Sequence, residues 1–327
     1  MATFVQQPCD ELLIRSRDAV APCPRASGPW ILAATILGSS MAFIDGTAVN
    51  VALPALQQSL KATVIDVQWV VESYSLLLSA LLLMGGSLGD HYGRRRIFIV
   101  GVAIFSLASA WCGFATSVRE LIFARAMQGA GGALLVPGSL AIISASFRDE
   151  DRGRAIGTWS GFTAITAAIG PVLGGWLIEH VSWRAVFFIN LPLAAIVLLI
   201  CVSQVPESRD ENQKEQIDWL GATLTTIGLG SIIYGLIESS RLHFGHPAVL
   251  TALIGGSFFL IVFLLVEARA KNPMLPLALF RSRDFTGANL LTLFLYSALG
   301  GTLFFLPLNL IQVQGYTATA AGAALLP

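Results

Sequence analysis

Charge is what this sequence has least of. Charged residues make up 12% of the chain and hydrophobic ones 55%, where a soluble globular chain carries about a quarter charged residues. Twenty basic and twenty acidic side chains cancel, which excludes a net field that would draw in nucleic acid. Cysteine is scarce as well. Cys9, Cys23, Cys112 and Cys201 show no metal-ligand spacing, which argues against a zinc site or a disulfide scaffold. The last two lie in apolar runs, where cysteine behaves as a small hydrophobe. There is no His pair, Ser/His/Asp grouping or nucleotide loop, so an integral membrane enzyme fares poorly and no metal or cofactor is expected. The Gly129-x-x-Gly132 stretch follows an apolar helix pattern with no strand before it, so it does not read as a phosphate loop. Residues Met1 to Pro29 hold several charges and no apolar core followed by a cleavage site. They read as a cytoplasmic tail, with the first helix as an uncleaved insertion signal.

What the chain does have is long apolar runs. A buried helix of a soluble protein shows a polar face every turn; these runs show none. Each approaches the roughly 20 residues that cross a bilayer's hydrocarbon core. The sequence predicts an all-α polytopic membrane protein with spans at 30–53, 69–89, 97–116, 120–143, 155–178, 184–203, 219–237, 248–266 and 286–311. A tenth run begins near Thr317 and ends with the sequence at Pro327, short of a crossing, so truncation is the expected explanation. Lys and Arg set the orientation. With the N-terminus inside, the inner segments hold Arg15, Arg17, Arg25, Arg94, Arg95, Arg96, Arg148, Arg152, Arg154, Arg209, Lys214, Arg269, Lys271, Arg281 and Arg283. The outer loops hold only Lys61, Arg119, Arg184 and Arg241, and Arg125 is left within a helix. The expected organisation is a tail (1–29), a six-helix unit (30–203), a polar cytoplasmic linker (204–217), a helix pair (218–268), a cytoplasmic loop (269–285) and the start of a further helical unit (286–327).

Between the second and third spans stands Gly86 to Arg96 (GSLGDHYGRRR). So short a loop must turn sharply, and Gly89 and Gly93 would supply positive φ. Asp90 would meet free N–H groups at a helix N-terminus, and Arg94, Arg95 and Arg96 offer partners for carboxylates or lipid phosphates. A positive-inside hairpin accounts for the arginines alone but not for the set. The segment resembles the signature loop of the major facilitator superfamily, and three further patterns fall in that family's order. Phe43 to Pro54 (FIDGTAVNVALP) is similar to the first-helix motif of the fourteen-helix drug:proton antiporters. Arg125 to Ala133 (RAMQGAGGA) resembles the superfamily's Arg-x-x-Gln-Gly pattern, and Gly161 through Gly170–Gly175 (GPVLGG) resembles the motif of antiporters rather than importers. Trp183-Arg184 and Phe188 to Pro192 (FINLP) match the start of helix six in that branch. The resemblance covers Trp30 to Pro327. It implies a complete N-terminal six-helix half, two inserted helices at 219–237 and 248–266, and the opening of a C-terminal half.

The same resemblance implies a secondary transporter in the cell membrane, driven by a proton gradient, that exports small lipophilic or amphipathic compounds. A dedicated antibiotic or metabolite exporter and a non-functional fragment are the alternatives. Substrate identity, oligomeric state and any periplasmic adaptor leave no mark. Asp45 within the first helix is a candidate proton site, since a charge at membrane depth costs at least ~2.5–3.5 kcal/mol and a carboxyl can take up a proton instead. A permanently paired or capping carboxylate is the structural alternative. Arg125 cannot lose its proton and needs a carboxylate or carbonyls; the resemblance places both near the cavity, but spacing does not show that they meet. Asn50 and Gln128 are polar positions within spans, equally suited to interhelical bonding. Glu72 is a further, interfacial candidate, and Glu179 and Glu238 read as solvated helix ends. Gly157, Gly161, Gly170, Gly174 and Gly175 would give helix five a small face for close packing, with Pro171 a kink or flexible point. The nineteen Phe are expected mostly to face lipid or packing partners.

Overall fold

The structure is a computed structural model that describes residues 27–209, 218–270, 275 and 277–326. The N-terminal tail with Cys9 and Cys23, most of the 204–217 linker with Lys214, and Lys271 lie outside the described residues. Among those described every regular element is helical: α1 (Gly28–Leu60), α2 (Val64–Tyr92), α3 (Arg94–Phe114), α4 (Val118–Ser146), α5 (Asp149–His180), α6 (Ala185–Phe188), α7 (Asn190–Gln204), α8 (Trp219–Leu242), α9 (Pro247–Glu267), a 3₁₀ turn (Leu277–Arg281), α10 (Arg283–Gln312) and α11 (Ala318–Ala323). With α6 and α7 taken as one broken span, nine of these are long and apolar enough to cross a membrane. That matches the predicted number.

Most helices overrun their apolar cores, and several begin at a side-chain cap. At the start of α2 the Thr63 hydroxyl accepts from the Asp66 amide and Asp66 returns the bond to the Thr63 amide, at 3.2 and 2.8 Å, a capping box that satisfies two end donors. Ser117 caps α4 through the Glu120 amide, and Asp218 caps α8 through the Gly221 amide at 2.7 Å. The α2–α3 turn is a single residue, Gly93, at φ +111°, a backbone angle that side chains disfavour. The expectation of positive φ fails at Gly89, which is an ordinary residue of α2.

Helices α1 to α7 form one bundle. α4 packs along α2 and α3, while α1 lies against α5, α7 and α4. Two apolar cores meet along α1. Ile31 to Ala42 join Phe98, Phe105, Leu135 and Val197 in one, and Ile44 to Leu56 join Val67, Leu121 and Phe187 in the other. Asp45 lies at their boundary. α8 and α9 pair with each other and reach the bundle through α2, where Trp69 meets Tyr234 and Glu238. α10 touches the bundle through α1, and α11 through α5. Large apolar side chains such as Leu107, Phe114, Leu199, Ile254 and Phe294 stand outside, each about two-thirds or more exposed. Water would not tolerate so much apolar surface; lipid would.

Candidate functional site

At the boundary of the two cores, Asp45 is 0% and Arg125 1% exposed. The Arg125 Nη1 donates to Asp45 Oδ2 in a short ion pair and to Gln128 Oε1 at 2.8 Å, while its Nε donates to the Val70 carbonyl at 3.2 Å. The guanidinium lies 4.2 Å from the centre of the Tyr74 ring, a cation–π contact that needs no further donor. Gln128 Nε2 donates to Asp45 Oδ1 at 2.8 Å. Asn190 Nδ2 donates to Ser109 Oγ at 2.9 Å and, more weakly, to Asp45 Oδ1 at 3.4 Å. Removing two charges from water costs several kcal/mol per ion, recovered only when the pair is close and the remaining lone pairs and protons are bonded. Here five helices, α1, α2, α3, α4 and α7, supply those bonds.

Local sequence explains the placement. On α4, Arg125 and Gln128 are three apart and share a face. The next residue, Gly129, lies against the Tyr74 carbonyl so closely that a Cβ would overlap it. That absence of a side chain brings the α4 backbone to α2 and sets Arg125 at the Val70 carbonyl and the Tyr74 ring. At Ile189 the sixth span is interrupted between α6 and α7. The break presents Asn190, two residues before Pro192, to the cluster.

Of the predicted site residues, Asp45, Arg125 and Gln128 come together; Asn50 and Glu72 do not. Asn50 spends its amide on the Gly46 carbonyl one turn back, at 2.9 Å. Glu72 is half-buried and lies between Val70 and Tyr74 on α2, half a turn from the face they present to Arg125. Arg125, which the family resemblance places near a cavity, is buried in the bundle. Tyr74, Ser109 and Asn190 are participants that sequence reasoning missed. Asn190 stood in the quoted FINLP segment, where a polar residue in an apolar run just before a proline was the available signal.

The Gly86–Arg96 motif forms a second constellation. Gly86 is helical and approaches Pro137 of α4. Asp90 sits in the last turn of α2, not at a helix N-terminus, and Arg94 Nε bonds it at 2.7 Å. The segment after α7 folds back onto the turn. Ser208 O accepts from the Arg94 amide at 2.8 Å, Glu207 Oε1 from the Arg95 amide at 3.1 Å, and Val205 O from Arg95 Nη1 at 3.0 Å. Glu207 Oε2 also faces the guanidinium of Arg96 at 3.5 Å. Burial pushes the Glu207 carboxyl above its ordinary range, with Arg95 opposing. Glu207 fills the space where a Gly93 Cβ would stand, 2.6 Å from its Oε1. The expected carboxylate partner of the arginines is therefore in the chain itself.

The α5 motif divides in two. Gly170 lies against Thr47, and a Cβ on Gly174 would fall 2.8 Å from that of Ala48, so α5 meets α1 there. Gly175 abuts the Ala318 carbonyl, and the buried Pro171 offers its carbonyl to Gly322, so the same stretch also receives α11. A Cβ on Gly157 or Gly161 would meet nothing within 4 Å among the described residues, so the packing expected of them finds no partner helix there. Nor is Glu179 a merely solvated helix end. It accepts from the Thr319 amide at 2.9 Å and the Thr319 hydroxyl at 2.6 Å. Glu238 is buried, accepting from Trp69 Nε1 at 3.4 Å and pairing with Arg241 at 3.0 Å.

Nine membrane-length spans among the described residues, with a charge pair sealed inside the bundle, define a polytopic membrane protein. Residues 35–327 match the Major Facilitator Superfamily, and the chain belongs to that family of transporters. It is 37% identical over 301 residues to the tetracenomycin C resistance and export protein of Streptomyces glaucescens, covering 91% of this chain and 56% of that protein. It is 36% identical over 297 residues to the multidrug resistance protein Stp of Mycobacterium tuberculosis, covering 90% and 55%. The methylenomycin A resistance protein of Bacillus subtilis is 33% identical over 315 residues, covering 96% and 67%. The chain thus spans a little over half the length of the first two relatives. Among solved structures, a peptide transporter POT in complex with sulfate superposes with TM-score 0.55 at 16% identity, over 80% of this chain and 56% of that one. That likeness concerns the fold alone.

Proposed function

We propose that this chain belongs to a proton-coupled exporter of small lipophilic compounds of the fourteen-helix antiporter branch, with Asp45 as proton site and Arg125 as its fixed partner. The observation that carries this reading is the sealed Asp45–Arg125 pair. Of the two partners only the carboxylate can change its charge, by taking up a proton, so that uptake is the step able to break the pair. Arg125 keeps its charge throughout, so protonation of Asp45 leaves it needing a new partner, and the helices that α4 ties together must adjust. The α8–α9 pair fits the two helices inserted between halves in that branch, and α10 with α11 fits the start of the second half. The arginine-rich end carrying Gly93 and Arg148 is then cytoplasmic, and the end joining α1 to α10 faces outward in the plasma membrane. Alternating access would be a rocking of the two halves about this plane.

Everted membrane vesicles from cells expressing the protein test the reading. A proton gradient should drive accumulation of a lipophilic cationic dye, and Asp45→Asn should abolish it while the protein remains folded in the membrane. Full proton-driven transport by Asp45→Asn would overturn the assignment. A dedicated antibiotic exporter is the second reading, favoured because two of the relatives are named for single antibiotics, tetracenomycin C and methylenomycin A. Resistance profiles against a compound panel separate the two, a single protected class supporting the dedicated exporter.

A further inference from the structure

Around Asp45 the hydrogen-bond ledger is complete for the ionised carboxylate and incomplete in one place for its neighbours. Oδ2 accepts from Arg125, and Oδ1 from Gln128 and Asn190. Every side chain that reaches the carboxylate does so with a donor. A neutral Asp45 would put an O–H among those N–H groups, and an O–H needs an acceptor. Two amides could turn to offer one. The Gln128 carbonyl is engaged, holding Arg125 Nη1 at 2.8 Å and the Cys112 thiol at 3.6 Å. The Asn190 carbonyl is not: among the described residues its Oδ1 is buried without a partner, on a side chain that is 0% exposed. The titratable groups around Asp45 are Arg125 on α4, the Tyr74 phenol on α2 and the Cys112 thiol on α3. Arg125 has no acceptor to offer, and the phenol already points at the Ala42 carbonyl, 3.4 Å away.

Resting on the assignment of Asp45 as the proton site, we propose that Asn190 is the positioning residue that reads the protonation state of Asp45 and relays it to the break between α6 and α7. When a proton from the aqueous phase adds to Asp45 Oδ1, the Asn190 amide turns over and its Oδ1 accepts the new O–H. No covalent bond other than that O–H forms or breaks. The turn withdraws Nδ2 from Ser109 and presents a carbonyl instead. The Ser109 hydroxyl, which donates to the Phe187 carbonyl at 2.8 Å, then swings to Asn190 Oδ1. Phe187 O, at the end of α6, loses its side-chain tie, so the junction to α7 is loosened in the neutral state and pinned in the ionised one. Gln128 cannot play this part without giving up its bond to Arg125.

The test is a pH titration of the chain in lipid nanodiscs, followed by difference infrared spectroscopy. In the wild type the protonated-carboxyl band absent from Asp45→Asn should rise on acidification. With ¹³C-labelled asparagine, an amide carbonyl shift should rise with it and be missing in Asp45→Asn. Asn190→Leu removes the acceptor and should lower the half-protonation pH of that carboxyl by about one unit, roughly tenfold in proton affinity. Asn190→Ser, which can accept, should restore part of it. If Asn190 were only a donor to the carboxylate, Asn190→Leu would raise the half-protonation pH, which overturns the inference while leaving Asp45 as the proton site. An Asp45 carboxyl band that rises in the wild type without any asparagine shift overturns it equally. Absence of the Asp45 band throughout would overturn the proton-site assignment, and the inference with it.

Discussion

The Arg125 side chain works as a hub because its fork is rigid and its charge is permanent. It binds Asp45, Gln128 and the Val70 carbonyl at once. Lysine has a single point of charge and cannot reproduce that fork. Arg125→Ala leaves Asp45 buried and unpaired, and breaking a buried pair from one side costs about 3–5 kcal/mol. A thermal melt of the purified protein should show this loss, with Arg125→Lys between alanine and wild type. Combining Asp45→Asn with Arg125→Gln should cost less than Arg125→Ala alone, because no charge is left unpaired. A double variant as unstable as Arg125→Ala would show that the pair's charge is not what the fold depends on. Asp45, Arg125 and Gln128 were legible in the sequence as polar residues inside apolar runs. Ser109 and Tyr74 were not, since a small hydroxyl or a phenol in a membrane helix is commonplace and nothing local marks the ones that face a charge.

Between elements, glycine decides approach and a docked carboxylate decides closure. Gly129 lies against the α2 backbone at Tyr74, so Gly129→Val must push α4 from α2. It should lower thermal stability by about 1–3 kcal/mol as overpacking does, whereas Gly161→Val, with open space before it, should leave the melt unchanged. The Gly periodicity of α5 was visible in the sequence, but which glycines touch a neighbour depends on how the helix is rotated, and periodicity does not give that. Docking of the 205–209 segment on the α2–α3 turn has a pH dependence of defined sign. Burial holds the Glu207 carboxyl above its ordinary value of 4.5, so the docked state binds its proton more tightly than the undocked one. Docking is then strongest below that ordinary value and weakens as pH rises through the raised one. Amide protection factors at Arg94 and Arg95 should fall over that window, and Glu207→Gln should flatten the profile. A protection factor that rises with pH would mean that the arginines, not desolvation, govern the carboxyl.

For the molecule as a whole, the bundle and α10–α11 meet at one end only. Gln312 Nε2 donates to Gln57 Oε1 at 3.0 Å, and Glu179 holds the first turn of α11 through Thr319. At the other end the first half of α10 is exposed almost throughout. Cysteines replacing Gln57 and Gln312 should therefore form a cross-link in membranes under mild oxidation. Gly322→Val, which must displace α11 from the Pro171 carbonyl, should reduce its yield several-fold. Glu179→Ala should cost about 1 kcal/mol, as loss of a helix-cap partner does, and should lower the yield less. An unchanged cross-link in both variants would show that α11 plays no part in holding α10 to α1.

The sequence by itself determined the class of fold, the number of spans and the patterns that carry the family resemblance. It did so because the hydrophobic effect and the backbone's need for internal hydrogen bonds in lipid act on every residue of a span, leaving a signal some twenty residues long. Only the tertiary structure decided which polar residues meet. Asp45 and Arg125 are eighty positions apart; their encounter depends on Gly129 letting α4 reach α2, the seating of α5 on α1 depends on Gly170 and Gly174, and a break in the sixth span turns Asn190 inward. Each of these is a matter of helix rotation and interaxial distance. Both are set by side chains distant in sequence, and so neither is written in any one stretch of it.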